Sequence, residues 1–381
     1  MENNELSIGL PQMHLEPGER RVFLTKFVAW LADFGFKIYL EEGYGSSVGL
    51  SVQDYLDEVE NVRIASQEEV YQQDFVLVLR FPGDELLGLM KPGSCLISML
   101  HFPTRPQRVL LLKSFRINAI SLDTIKDDNG RRLVENLAAV AWNGLKISFQ
   151  ALSENYPQPG FENPGRNPLQ VTLLGAGAVG KQVIQAAVSY GDKDLREKFV
   201  EEKIPGVMVT VVDYDLTNHR RFMQQILSKT DILVDATQRP DPSKPVIPNH
   251  WLAWLPEHAI ITDLAVDPYL LESVPPVVRG IEGIPQGNLD KYLFSPADPE
   301  WDLTVPTSIP SEHRRTVVSC YSWPGIFPKA CMKHYGQQLR PLMKRLSARG
   351  YEGLSLQGDH FERALYRGTL RYWQTYQEQT V

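Results

Sequence analysis

From Leu6 onward the chain alternates short apolar runs with segments whose apolar residues recur at helical spacing. LSIGL, KIYLE, NVRIA, DFVLVLR, SCLISML and NAISLD are brief and rich in Val, Ile, Leu and Phe, the pattern of buried strands. Between the first two, Phe27, Val28, Trp30, Leu31 and Phe34 form one stripe, which predicts a helix capped by Thr25 and stopped by Gly35. Strand, helix, strand at this spacing predicts βαβ units and a parallel sheet over roughly residues 1–130. Residues 131–154 form the longest uninterrupted helical pattern, and YPQPGFENPGRNP behind it marks a boundary. A second alternating series, LQVTLL, VMVTVVDYD, DILVDA and AIITDLAVD, then runs through roughly 155–318. One more strand, TVVSCYS, leads through PGIFP into two closing helices.

Composition narrows the class. The chain has 381 residues, about 2.5 times a common domain size, so two domains are expected. Its 43% hydrophobic and 22% charged residues are those of a globular protein and exclude disorder. A net charge of −7 without any long Lys/Arg block argues against nucleic acid or an anionic membrane as partner. Cys95, Cys320 and Cys331 are too few and scattered for a disulfide framework or a zinc site, and no histidine spacing suggests a metal. With no apolar stretch of membrane length and no signal-like N-terminus, the sequence reads as cytosolic.

The sharpest local motif is Gly175-Ala176-Gly177-Ala178-Val179-Gly180, placed after the apolar run VTLL and at the start of a helical pattern. Gly175 permits a tight turn, Gly177 lets the backbone approach a pyrophosphate, and Gly180 allows close helix-on-strand packing. Ala178 and Val179 open the helix whose N–H groups face the phosphates. Asp213 ends the next strand, where a carboxylate binds ribose hydroxyls and repels a 2′-phosphate, so NAD is favoured over NADP. The acid falls further on than the usual ~20 residues, because GDKDLREKFVEEKIPG reads as an insertion, and Arg220 and Arg221 leave NADP open. Asp235, after the DILV run, is a candidate for the cofactor's second ribose.

The order of parts resembles the family of alanine dehydrogenase, lysine-forming saccharopine dehydrogenase and the NAD-binding subunit of transhydrogenase. SIGLP followed by Glu19-Arg20-Arg21-Val22-Phe23-Leu24-Thr25 resembles that family's opening strand and E-x-R-V-x-L-T segment, and Met99-Leu100-His101 its strand-end histidine. VTLLGAGAVG resembles its nucleotide turn, Asp263-Leu264-Ala265-Val266-Asp267 its D-V-A-x-D strand end, and Ser322-Trp323-Pro324-Gly325-Ile326-Phe327-Pro328 its N-M-P-G-A-V-P turn. Leu122-Asp123 with Gly130-Arg131-Arg132 is closer to the saccharopine branch. The resemblance implies an α/β fold of two Rossmann-like parallel-sheet domains flanking a cleft. It assigns 1–135 plus 319–381 to a substrate and catalytic domain, linked by the helix 131–154, and 136–318 to an NAD-binding domain.

The departures matter as much. Arg80 stands where the family has a proton-handling lysine; arginine does not deprotonate near neutral pH, and its planar fork suits a carboxylate. The P-M-S-x-x-A-G-R segment is missing, and Ser322 and Trp323 replace the asparagine before the Pro-Gly turn, where Trp323 is a candidate cleft wall. For amine-to-imine chemistry the expected parts are His101 as general acid/base, Arg21 and Arg80 as carboxylate clamps, and Asp267 beside the nicotinamide. The expected activity is NAD-dependent oxidation or reduction at the CH–NH group of an amino acid, saccharopine- or opine-type or alanine-dehydrogenase-like. Its partners are an amino acid or 2-oxo acid, with a homo-oligomer left open. The alternative is a non-catalytic NAD(H)-binding sensor or partner-binding subunit that lost the lysine.

Overall fold

Twelve strands order themselves into two six-stranded sheets in the computed structural model, which describes residues 6–13, 15–59 and 62–376. The first sheet is built from β1 (Ser7–Leu10), β2 (Lys37–Glu41), β3 (Val62–Ala65), β4 (Phe75–Arg80), β5 (Cys95–Met99) and β6 (Asn118–Ser121). Their order is β3-β2-β1-β4-β5-β6, and every pairing is parallel. A parallel sheet is covered on both faces, and β4 shows how the sequence supplies this. Phe75, Leu77 and Leu79 point into one core with Phe27, Leu31, Leu342 and Met343, while Val76 and Val78 point into another with Leu96, Val109 and Trp373.

The second sheet contains β7 (Leu169–Leu174), β8 (Val207–Val212), β9 (Ile232–Asp235), β10 (Ile260–Asp263), β11 (Leu293–Phe294) and β12 (Thr316–Ser319). The order is β11-β12-β10-β9-β7-β8, parallel except for the two-residue β11 at one edge. Leu173 and Val234 bury on one face with Leu145 and Val183, and Leu174 and Leu233 on the other with Met223 and Ile261. Both sheets are open α/β sheets of doubly wound order, with strand order reversing at β1/β4 in one and at β7/β9 in the other. Ligands of such sheets collect outside the carboxyl ends of the strands at these reversals.

The chain divides into unit 1, residues 1–136 with 327–381, and unit 2, residues 137–326. Two boundaries differ from those read from pattern. The long helix is Leu137–Asn155 and not 131–154, because Lys126 and Arg132 form a bridge and Leu133 donates to the Ile125 carbonyl, which draws 131–136 into unit 1 as non-helical chain. Residues 319–326 belong to unit 2, since β12 pairs with β10 along its whole length and Trp323 donates its indole N–H to the Asp263 carbonyl at 2.8 Å. Trp323 is 1% exposed and packs the core of unit 2. Thr25 is the first residue of helix Thr25–Asp33, and Leu24 precedes it as an N-cap without a side-chain bond. No helix of the described residues is long and apolar enough to cross a membrane.

Candidate functional site

In unit 1 the chemistry-bearing residues gather where strands end. β5 runs to Met99 and delivers His101 two residues later; β6 runs to Ser121 and delivers Asp123. Because Ser98 sits opposite Ser121 in the ladder, the two strand ends stand side by side. His101 Nδ1 lies 3.3 Å from Asp123 Oδ2, and the His101 backbone N–H donates to Asp123 Oδ1 at 3.1 Å. His101 itself adopts φ 53°, a left-handed conformation uncommon for a residue with a Cβ. Ser121 Oγ donates to the same Asp123 oxygen at 2.7 Å. Burial pushes the Asp123 carboxyl up, but the bonds and charge of His101, with Ser121, outweigh it and hold it near about 2. The aspartate is a fixed anion beneath a histidine whose side chain is half exposed. Asp123 as the partner of His101 was not read from the sequence. Its only signal was a second strand-end polar residue on the neighbouring strand.

The two arginines expected to clamp a substrate carboxylate are each ion-paired to a glutamate of the same unit. Arg21, 3% exposed, donates Nε to Glu19 Oε1 at 2.8 Å and Nη2 to Glu19 Oε2, so the Nε/Nη2 edge of its guanidinium is filled. Burial opposes both charges, yet the pairing keeps the Arg21 guanidinium above and the Glu19 carboxyl below their ordinary ranges. Arg80 Nη2 donates to Glu16 Oε1 at 2.5 Å, with both side chains about one-third exposed. The irregular register between Leu77 and Arg80 at the end of β4 sets this direction. Arg80, Glu16 and Glu19 line a pocket with Gln12, Met13 and Phe81. It lies beyond the carboxyl ends of β1 and β4, at the reversal of strand order.

In unit 2 the glycine turn leaves β7 at Gly175 and starts helix Ala178–Ala187. Gly175 has φ +90° and a Cβ there would meet the Ala236 carbonyl at 2.8 Å; a Cβ on Gly180 would meet the Gly175 carbonyl at 2.3 Å. Around Gly177 there is open space, and it is the helix N-cap without a side chain. The first-turn N–H groups of this helix, those of Ala178, Val179 and Gly180, have no intrahelical acceptor and carry the positive end of the dipole. A helix start of this form can hold a phosphate. Leu174 pairs with Val212, so Asp213 follows β8 directly beside Gly175, where it bonds the Tyr214 N–H at 2.8 Å. The excess spacing between glycines and acid is taken up by helix Lys193–Glu201.

The remaining two acids stand at or just beyond the ends of β9 and β10. Asp235 is 1% exposed and does not line an open ribose site; its Oδ1 accepts from Thr237 N and Oγ1, and its Oδ2 faces Gly280, whose missing side chain makes the room. Burial first, and Asp263 second, push its carboxyl up to about 6. Asp267 is partly exposed and its Oδ2 accepts from Arg239 Nη2 at 2.7 Å. Burial raises the Asp267 carboxyl, with Arg239 acting against it. Behind them Arg279, 1% exposed, donates to Asp263 and to Ser319 Oγ. Neither Arg239 nor Arg279 was singled out in the sequence, since both stand in segments without periodicity. Among the described residues no group of His, Cys, Asp and Glu has the arrangement of a metal site.

Comparison with known proteins adds the family context. Residues 11–141 match the model of the alanine dehydrogenase/PNT N-terminal domain. The alanine dehydrogenase of Methanococcus maripaludis is 23% identical over 273 residues, 68% of this chain and 72% of that protein. The NAD(P) transhydrogenase subunit alpha of Haemophilus influenzae is 26% identical over 188 residues, 48% of this chain but only 36% of that protein's length. Among solved structures an L-alanine dehydrogenase superposes with a TM-score of 0.70 at 18% identity, covering 96% of this chain and 94% of the other, which establishes a shared fold. Over residues 11–141 the chain is thus similar to the N-terminal domain of the alanine dehydrogenase/PNT family.

Proposed function

We propose that this chain is an NAD-dependent oxidoreductase acting on the CH–NH group of an amino acid, in the manner of alanine dehydrogenase or of saccharopine- and opine-type dehydrogenases. The observation that carries the reading is the His101–Asp123 pair at the ends of β5 and β6. Asp123 accepts from Nδ1–H and fixes the tautomer, which leaves Nε2 as the nitrogen that takes or gives the proton on the substrate amine. In unit 2 the N–H groups after Gly177 hold the pyrophosphate and Asp213 the adenosine ribose, and NAD, when bound, supplies the hydride acceptor. Asp267, held by Arg239, closes the polar side of that unit's strand ends. His101→Ala is expected to lower turnover by about 10²- to 10⁴-fold with NADH affinity unchanged. The test is a fluorescence titration with NADH and NADPH, then a screen of 2-oxo acids paired with ammonia, lysine or ornithine. Unchanged turnover in His101→Ala on the substrate found removes the acid–base role.

One observation favours a second reading, a non-catalytic NAD(H)-binding sensor or partner-binding subunit. Arg80, in the position of the family lysine, is ion-paired to Glu16, and its guanidinium does not shuttle a proton as that lysine would. NADH binding without turnover on any pair supports this reading over the first.

A further inference from the structure

Arg21 and Arg80 each face an internal carboxylate, and the strand ends of unit 1 hold a further cation without one. Arg108 lies in the first turn of helix Pro106–Ser114 and turns back over the end of the sheet. Its guanidinium carbon stands 4.4 Å from the ring centroid of Phe81, the residue after Arg80, and its Nη1 is 3.3 Å from the carbonyl of Leu100, the residue before His101. Arg105, one turn earlier, bonds only its neighbour's carbonyl, that of Thr104, at 3.2 Å. Among the described residues no carboxylate lies within ion-pair distance of either arginine. Resting on the dehydrogenase reading above, we infer that Arg108, seconded by Arg105, binds the carboxylate of the 2-oxo acid or amino acid presented to His101.

Physical reasons run the same way. A guanidinium stacked on an aromatic face presents its edge N–H groups as a planar fork, the geometry that receives a carboxylate bidentately. Arg108 is half-buried. Burial first, and then the like charges of Arg105 and Arg80, lower its affinity for its own proton, while Asp123 and Asp84 restore only part. That surplus of positive charge beside the His101–Asp123 pair is what a bound carboxylate neutralises.

The test is calorimetric titration of the full chain with pyruvate and with 2-oxoglutarate, with and without NADH, for the wild type, Arg108→Met and Arg108→Lys, each checked by thermal unfolding. The wild type is expected to bind at least one acid. Arg108→Met should weaken that acid by about 10- to 100-fold, the range of a charge-assisted bond, and Arg108→Lys by less, with NADH affinity unmoved in both. An Arg108→Met protein that binds the acid as the wild type does overturns the inference, as does a folded wild type that binds neither acid. If the methionine variant does not fold, the lysine variant decides, and unchanged affinity there overturns it too. Failure of the dehydrogenase reading is distinguishable, because it shows as absent NADH binding or absent turnover whatever the acid titration gives.

Discussion

Asp235 illustrates how much a single buried carboxylate weighs in this molecule. Its partners, Thr237 N and Oγ1, are neutral donors, and the nearest register neighbour across the sheet, Asp263, carries the same charge. The folded chain therefore holds the Asp235 proton up to about 6, whereas an unfolded aspartate releases it near ~3.9. The folded state binds the extra proton between those values, so the contribution of Asp235 to stability is fully present below pH ~4 and is lost as pH rises through about 6. Asp235→Asn keeps the acceptor for Thr237 and removes the charge. It is expected to raise unfolding free energy by about 2–3 kcal/mol at pH 7.5 and by nearly nothing at pH 4. Urea unfolding of both proteins at the two pH values measures this, and an equal difference at both would refute it. Asp123 has the opposite sign: its carboxyl is held down near about 2, so its stabilisation is present above pH ~4 and drains only in strong acid.

At the scale of elements, the turn between β7 and helix Ala178–Ala187 separates folding from binding within a few residues. A Cβ on Gly180 has no room against the Gly175 carbonyl, while one on Gly177 meets nothing within 4 Å. Gly180→Ala should thus lower stability by more than about 1 kcal/mol through a forced backbone shift. Gly177→Ala should melt as the wild type does yet weaken NADH by about tenfold or more, because the methyl occupies the approach of the pyrophosphate. Paired melting and NADH titration read the two effects apart, and a Gly177→Ala protein with wild-type NADH affinity would remove the phosphate assignment. This turn was legible in the sequence because all its determinants are local: an apolar run, glycines at fixed spacing and a helix start. The strands were legible for the same reason, as runs such as FVLVLR bury on both faces. What joins distant segments was not legible. The Asp123–His101 pair depends on parallel register between β5 and β6. Glu16 and Glu19, which absorb the charges of Arg80 and Arg21, sit in the non-periodic stretch between β1 and helix Thr25–Asp33. No local pattern tells an arginine that meets a ligand from one that meets its own chain's glutamate.

For the whole molecule, the discontinuity of unit 1 sets how the chain can be cut. The two cores of unit 2 are formed entirely by residues within 137–326, from Ala141 on the long helix to Trp323 after β12. Unit 1 closes its larger core only with residues from the far end of the chain: Cys331, Met332, Leu339, Leu342, Met343 and Leu346 on helix Pro328–Arg349, and Ala364 and Leu365 behind it. A fully buried Leu or Met side chain is worth about 1.5–3 kcal/mol, so losing the six Leu and Met among them removes about 9–18 kcal/mol, as much as the ~5–15 kcal/mol by which a domain is stable. A fragment of residues 137–326 is expected to fold alone, to unfold in one cooperative step and to bind NADH as the full chain does. A fragment ending at 136 is expected to stay unfolded until residues 327–381 are supplied, as a separate peptide or through a short linker from 136 to 327. Circular dichroism on the three preparations, with NADH fluorescence on the first, tests both expectations. A folded 1–136 fragment would mean that the C-terminal helices cover an already stable sheet, and a 137–326 fragment that folds but ignores NADH would place part of the nucleotide site outside unit 2.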